Sequence, residues 1–221
     1  MDALIQQFFN FDIMGRALPL VLTGLWTTLL ICLIVIPMGL LGGILVAVAS
    51  LSPHPFIRRS TKLLVDLFRA LPPLVLLILI YSGLPFLGLR LGPLAAVSVA
   101  FFLNNSAYYG EIFRAGLESV PSSQWEAARS TGLSASQSFF WVVLPQGMRN
   151  VLPDLVSNTV EVVKLTSLAS VVSMPEMLYA ADMARSLTFN ASPIVLAAAI
   201  YIALLWPAVR LVSRLEHAVS R

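Results

Sequence analysis

Residues 17–51 contain no charged side chain. The run exceeds the roughly 20 apolar residues that cross a hydrocarbon core of about 30 Å. It therefore predicts a membrane span that tilts or projects beyond the lipid. Pro19, Pro37 and small residues are its only interruptions, and Gly39, Gly43 and Ala47 recur every four residues. That spacing places them on one helix face, where small residues let two helices approach closely in lipid. Further apolar stretches at about 63–86, 94–111, 151–172 and 191–211 bring the expected number of spans to about five. Composition agrees. Of 221 residues, 58% are hydrophobic and 11% charged, against about 25% charged in soluble domains. A globule with so few ionic groups would not stay dissolved, so the chain is an all-α integral membrane protein.

The excess of basic residues is modest, with a net charge of +3. No basic cluster is interleaved with aromatics, so a nucleic-acid partner is not expected. The positions of the cations are more informative. Alternate connections carry Arg58, Arg59 and Lys62, then Arg114, Arg129 and Arg149, then Arg210, Arg214 and Arg221. The opposite set carries Arg16, then Arg90, then Arg185 beside Asp182 and Glu176. Positive-inside logic places the N-terminus outside and the C-terminus in the cytoplasm. The expected organisation is an outer segment at 1–16, a transmembrane domain at 17–214 with a cytoplasmic loop at 119–146, and a cytoplasmic tail at 215–221. No basic n-region precedes the first span, so no cleaved signal peptide is expected.

Several chemistries lack their residues. The two lysines, Lys62 and Lys164, follow Thr61 and Val163, so neither ends a phosphate-binding Gly-Lys-Ser/Thr loop. Gly39/Gly43 and Gly88/Gly92 have the spacing of a nucleophile elbow without its central serine. Cys32, His54 and His217 form no cluster suited to a metal, so no metal and no catalytic residue is expected. The chain is read as a non-enzyme.

The cytoplasmic loop is unusual. After Pro121, Ser122 or Ser123 can cap a short helix, Glu126 complements the dipole of its first turn, and Gly132 can end it left-handed. The alanines Ala127 and Ala128 permit close approach of another protein. The spaced set Glu126-Ala127-Ala128, Gly132, Val142 and Leu144-Pro145 resembles the loop of permease subunits of binding-protein-dependent ATP-binding-cassette importers. Only Val142 departs, where isoleucine is commoner. Segments 68–72, 107–116 and 166–169 are similar to those of the polar amino-acid branch, of the histidine, glutamine and arginine type. The likeness covers about residue 17 to the C-terminus.

The resemblance implies a type I importer permease fold (MetI-like) of about five spans, with a coupling helix between spans 3 and 4. It implies ATPase coupling through Glu126, Ala127, Ala128, Gly132, Leu144 and Pro145. Implied partners are two ATPase subunits, a second permease (identical or homologous), a soluble substrate-binding protein and a polar amino-acid substrate. No cofactor is expected in this chain, since ATP and Mg belong to the ATPase. The location implied is a bacterial inner membrane, in contact with its lipid. Outer loops near Arg90 and at 173–190 are the expected surface for the binding protein.

Polar groups within spans by default face the bundle interior. Asn104, Tyr108 and Glu111 share one face of the third span, adjoining Asn105 and Ser106. On the fourth, Glu161 and Lys164 lie one turn apart, followed by Thr166 and Ser167. Together these are the candidate substrate pathway, offering both charges and hydroxyls to a zwitterion. Equally, Glu161–Lys164 and Glu111–Arg114 can be intrahelical pairs that hide charge. Leu165 stands where relatives carry an acid or amide, which removes a partner for a basic substrate. The alternative class, an ion-coupled carrier or channel subunit, would recruit Glu161 but has no use for the spaced loop.

Overall fold

A computed structural model describes the backbone of residues 2–219 and the side chains of residues 2–215. Of the tail expected at 215–221, all but Leu215, including His217 and Arg221, lies outside the described side chains. Among the described residues all regular elements are helical: α1 (Asp2–Phe8), α2 (Phe11–Ser50), α3 (Pro55–Ala70), α4 (Pro73–Ile78), α5 (Pro93–Glu118), α6 (Ser122–Ser130), α7 (Ala135–Ser138), α8 (Leu144–Leu165), α9 (Met177–Thr188) and α10 (Ser192–Val219). Wide π-turns at Leu79–Gly83 and Phe139–Val143 each precede a proline, Pro85 and Pro145. A proline has no N–H for the carbonyl four residues back and crowds it, so the helix widens there. The chain therefore stays helical from Ala135 to Val172, closing in a 3₁₀ stretch at Thr166–Val172.

Helix α2 has 40 residues, or about 60 Å at 1.5 Å per residue. That is twice the hydrocarbon thickness, as a projecting first span requires. Its exposed Trp26, Leu33, Leu45 and Val48 form a surface suited to lipid. Among the described residues, three helical runs are long and apolar enough to cross a membrane: Asp2–Ser50, Ala135–Val172 and Ser192–Leu215. A fourth is reached if the broken pair Pro55–Ala70 and Pro73–Leu87 counts as one. The expected total of five is not met on this measure, and α5 is the reason. It has 26 residues, but Asn104, Asn105, Ser106, Tyr108 and Tyr109 dilute its apolarity. All of these except Tyr108 are buried, so α5 is shielded by other protein segments and need not be apolar all round.

The chain divides into two compact units. The first comprises residues 1–36, 72–101 and 160–209. Its core joins Ala17 and Val21 of α2, Met177, Ala181 and Ala184 of α9, and Ala197 of α10. A Cβ on Gly24 would lie 2.7 Å from the Glu176 carbonyl oxygen, so α2 meets the start of α9 at backbone distance. The stretch 173–190, expected as a polar outer link, contains α9 and buries one face of it. Spacing explains the correction, because Met177, Ala180, Ala181 and Ala184 recur at helical intervals between the polar residues. The N-terminal segment is anchored here too: Gln7 accepts from the Ala191 N–H (3.0 Å) and the Asn10 N–H donates to Ser192 Oγ (2.9 Å).

The second unit comprises residues 37–71, 102–159 and 210–221. Here the small face of α2 packs on α5. A Cβ on Gly43 would sit 2.5 Å from that of Tyr109, one on Gly42 would overlap Ser106, and Gly39 abuts Asn105 and Tyr109. The packing role read from the four-residue spacing holds. At the other end of α5, Gly116 and Gly147 meet, with a Cβ on Gly116 only 2.7 Å from the Gly147 carbonyl oxygen.

Candidate coupling loop and polar clusters

Helix α6 has nine residues and carries the Glu-Ala-Ala sequence. Its N-cap residue is Pro121, with no side-chain cap, rather than Ser122 or Ser123. The helix thus starts at Ser122 and Glu126 falls in the second turn, not the first. The C-terminal expectation holds, since Gly132 has φ +89°, a conformation that favours glycine. Arg129 Nη1 donates to the Leu133 carbonyl (2.7 Å) and Thr131 Oγ1 to that of Ala128 (2.8 Å), which satisfies the helix end. The next turn opens with a capping box between Ser134 and Gln137.

Ala128 is buried, whereas Glu126, Ala127 and Gly132 are exposed. No ion pair engages Glu126 among the described residues. Leu144 and Pro145 open α8 directly after the π-turn, with Leu144 half-buried and Pro145 exposed. Gln146 Nε2 donates to the Val142 carbonyl (2.9 Å) and reaches Gln124 Oε1 (3.5 Å). Asn150 Nδ2 donates to Ser119 Oγ (2.8 Å) at the Gly116–Gly147 crossing. A short helix with an unpaired acid and small residues is therefore mounted on the closely apposed ends of α5 and α8.

Of the candidate pathway residues, Asn104, Asn105, Ser106, Tyr108 and Glu111 lie in the second unit, and Glu161, Lys164, Thr166 and Ser167 in the first. Asn104 is buried and donates to the Phe68 carbonyl (3.1 Å), while its Oδ1 has no protein partner. Asn105 and Ser106 are buried too, against the glycines of α2. Tyr108 donates to the Arg69 carbonyl (3.4 Å), and the Arg69 guanidinium stands 5.5 Å from its ring centroid. Glu111 pairs with Arg114, which also pairs with Glu118.

In the first unit Glu161 pairs with Lys164, both half-exposed. Thr166 and Ser167 are folded back on their own helix, donating to the carbonyls of Val163 (2.7 Å) and Lys164 (2.8 Å). Lys164 and Ser167 also line a mainly apolar cavity of about 470 Å³ with Tyr201, Leu205 and Trp206.

Sequence reasoning missed Glu176, which it placed on an outer surface. The residue is fully buried, and its carboxylate accepts from the N–H groups of Leu178 (2.9 Å) and Tyr179 (2.7 Å) as the N-cap of α9. Tyr201 Oη lies 3.4 Å away, and Thr28 Oγ1 accepts the Met177 N–H (3.1 Å). Burial pushes the Glu176 carboxyl above its ordinary range, and the donors to it offset this only in part. Pro175-Glu176 ahead of an amphipathic run was the available signal.

The fold defines a class, an all-helical membrane-spanning subunit with a short exposed helix between α5 and α8. The chain belongs to the family of binding-protein-dependent transport system inner membrane components, whose model matches residues 39–221. It is 35% identical over 173 residues to the probable amino-acid ABC transporter permease protein YckA of Bacillus subtilis (strain 168), covering 78% of this chain and 76% of that one. Among solved structures, an amino acid ABC transporter crystallised with histidines has a chain of 32% identity and TM-score 0.86, covering 93% of this chain and 96% of that one. An inward-facing MetNI methionine ABC transporter shares the fold at 20% identity, with TM-score 0.74 over 91% of this chain and 97% of its own. The fold is thus the MetI-like permease fold, and the chain is a membrane-spanning permease subunit, itself not catalytic.

Proposed function

We propose that this chain forms the translocation pathway of an importer for a polar amino acid or close derivative. A separate ATPase drives it and a soluble binding protein delivers the substrate. One observation carries the reading: α6 presents an exposed, unpaired Glu126 beside Ala127, is ended by Gly132 in the left-handed region, and stands on the joined ends of α5 and α8. In this reading α6 seats in a groove of the ATPase, Glu126 pairs with a basic group there, and Leu144 and Pro145 fix where the loop re-enters the helix. ATPase closure then tilts α5 and α8 and opens the pathway to each side in turn.

ATP and Mg belong to the partner. Two ATPases and a second permease, identical or homologous, complete the assembly, because the pathway of such permeases runs between two of them. The expected setting is a bacterial inner membrane with the N-terminus outside and the C-terminus in the cytoplasm. The asymmetry of charge supports that direction: among the described residues the first unit carries only Arg16, Arg90, Lys164 and Arg185 as Lys or Arg. The candidate pathway residues keep their role in this proposal, with Lys164 and Ser167 favoured by the cavity they line. The ion-coupled alternative has no observation in its favour.

The test is transport in proteoliposomes containing the whole transporter and its binding protein. Gly132→Trp is expected to cut uptake at least tenfold while ATP hydrolysis continues. Glu126→Ala is expected to weaken co-purification of the ATPase. Unchanged uptake in the Gly132 variant would overturn the coupling role.

A further inference from the structure

Two cavities of the second unit adjoin at Val65. One, of about 290 Å³, is lined by Arg58, Arg59 and Lys62 of α3 together with Ser50, Asp66 and the Glu111–Arg114–Glu118 cluster. The other, of about 330 Å³, is mainly apolar and lined by Leu45 and Ala49 of α2, Leu64 and Phe68 of α3, and Phe102 of α5. They share Val65 as a wall, and they meet again where Ala49 of one is followed by Ser50 of the other.

The polar cavity is short of negative charge. Glu111 and Glu118 are both engaged by Arg114. No ion pair reaches Arg58, Arg59 or Lys62 among the described residues, and with Arg114 they make four lining cations against the three carboxylates of Asp66, Glu111 and Glu118, an excess of one positive charge. The same helix exposes Phe56, Leu63, Leu64 and Leu67. A helix with cations on one face and large apolar groups on another suits the boundary between headgroups and acyl chains. A free anion would satisfy the first cavity and leave the second empty.

We propose that these two adjoining cavities together bind an anionic phospholipid. Its phosphate is held by Arg58, Arg59 and Lys62, and one acyl chain lies along Leu45, Ala49 and Phe68. The site rests on the membrane placement of the chain and not on its substrate or coupling partner, so its failure would leave the transport proposal standing.

The test is native mass spectrometry of the full transporter released from mixed phosphatidylglycerol and phosphatidylethanolamine micelles. Phosphatidylglycerol is expected to be retained over phosphatidylethanolamine. Combined Arg58→Ala, Arg59→Ala and Lys62→Ala should abolish that preference, with a loss of about fivefold per basic group. Ala49→Phe fills the apolar cavity without changing charge and should reduce retention on its own. Arg58→Lys with Arg59→Lys should keep it. Equal retention of the two lipids, or wild-type retention in the Ala49 variant, would overturn the site. Displacement of phosphatidylglycerol by glycerol phosphate at equal concentration would replace the lipid with a free anion.

Discussion

Glu176 offers a clean separation of two roles a buried carboxylate can play, hydrogen-bond acceptor and charge. It lies between the helical runs that end at Val172 and begin at Ser192, fully buried, with two backbone N–H groups of α9 on its oxygens. Replacing Glu176 by Ala removes the cap, at about 1 kcal/mol. It also leaves the part-buried N–H groups of Leu178 and Tyr179 without their side-chain acceptor, at about 1–3 kcal/mol more. The expected loss is about 2–4 kcal/mol, or a fall in Tm of about 4–16 °C for a chain of this size. Glu176→Gln keeps an acceptor and imitates the protonated acid, so its cost is expected to stay near 1 kcal/mol.

The pH dependence separates the roles further. Burial raises the folded-state pKa of Glu176. Its favourable contribution is therefore fully present below the ordinary carboxylate value of about 4.3 and is lost as pH rises through the raised value. Scanning fluorimetry of the purified protein across pH should show the Tm of wild type gaining on that of Glu176→Gln as the medium is acidified from neutrality. Equal destabilisation by Gln and Ala would mean that the charge matters, not the acceptor. A pH slope of the opposite sign would refute the burial argument itself.

Other perturbations follow from the packing and the pairs. Gly43→Leu drives a side chain into Tyr109, whose Cβ is 2.5 Å from where the new one would stand. Its Tm should report a loss of about 1–3 kcal/mol, whereas Gly15→Leu, with nothing within 4 Å, should cost nothing. Lys164→Met breaks a half-exposed pair with Glu161 and should change stability by at most about 0.5 kcal/mol. If Lys164 serves the pathway, uptake falls at least tenfold at unchanged Tm; unchanged uptake assigns the pair to hiding charge.

Much of this was legible in the residues. A span must present apolar side chains whatever packs beside it, so α2 and α10 were readable from local composition. Gly132 was readable because a left-handed residue after a short helix is a backbone requirement. The face of Gly39, Gly43 and Ala47 was readable because a four-residue repeat of small side chains has few uses other than close contact. Each of these is a local rule, complete within a few turns of chain.

The tertiary structure alone decided which polar groups are inside. Residues 173–190 read as a polar surface because Glu176, Asp182 and Arg185 stand there. Glu176 is buried only because Gly24 and Thr28 of α2, about 150 residues earlier, and Tyr201 of α10 close around it. The polar run of α5 is likewise tolerated because the glycines of α2 and the carbonyl of Phe68 cover it. Apolarity is a property of a side chain, whereas burial depends on segments distant in sequence. That is why the long apolar helices and the short helix α6 with its Gly132 end could be read from the chain, and the buried acid, the Gly116–Gly147 crossing and the adjoining cavities could not.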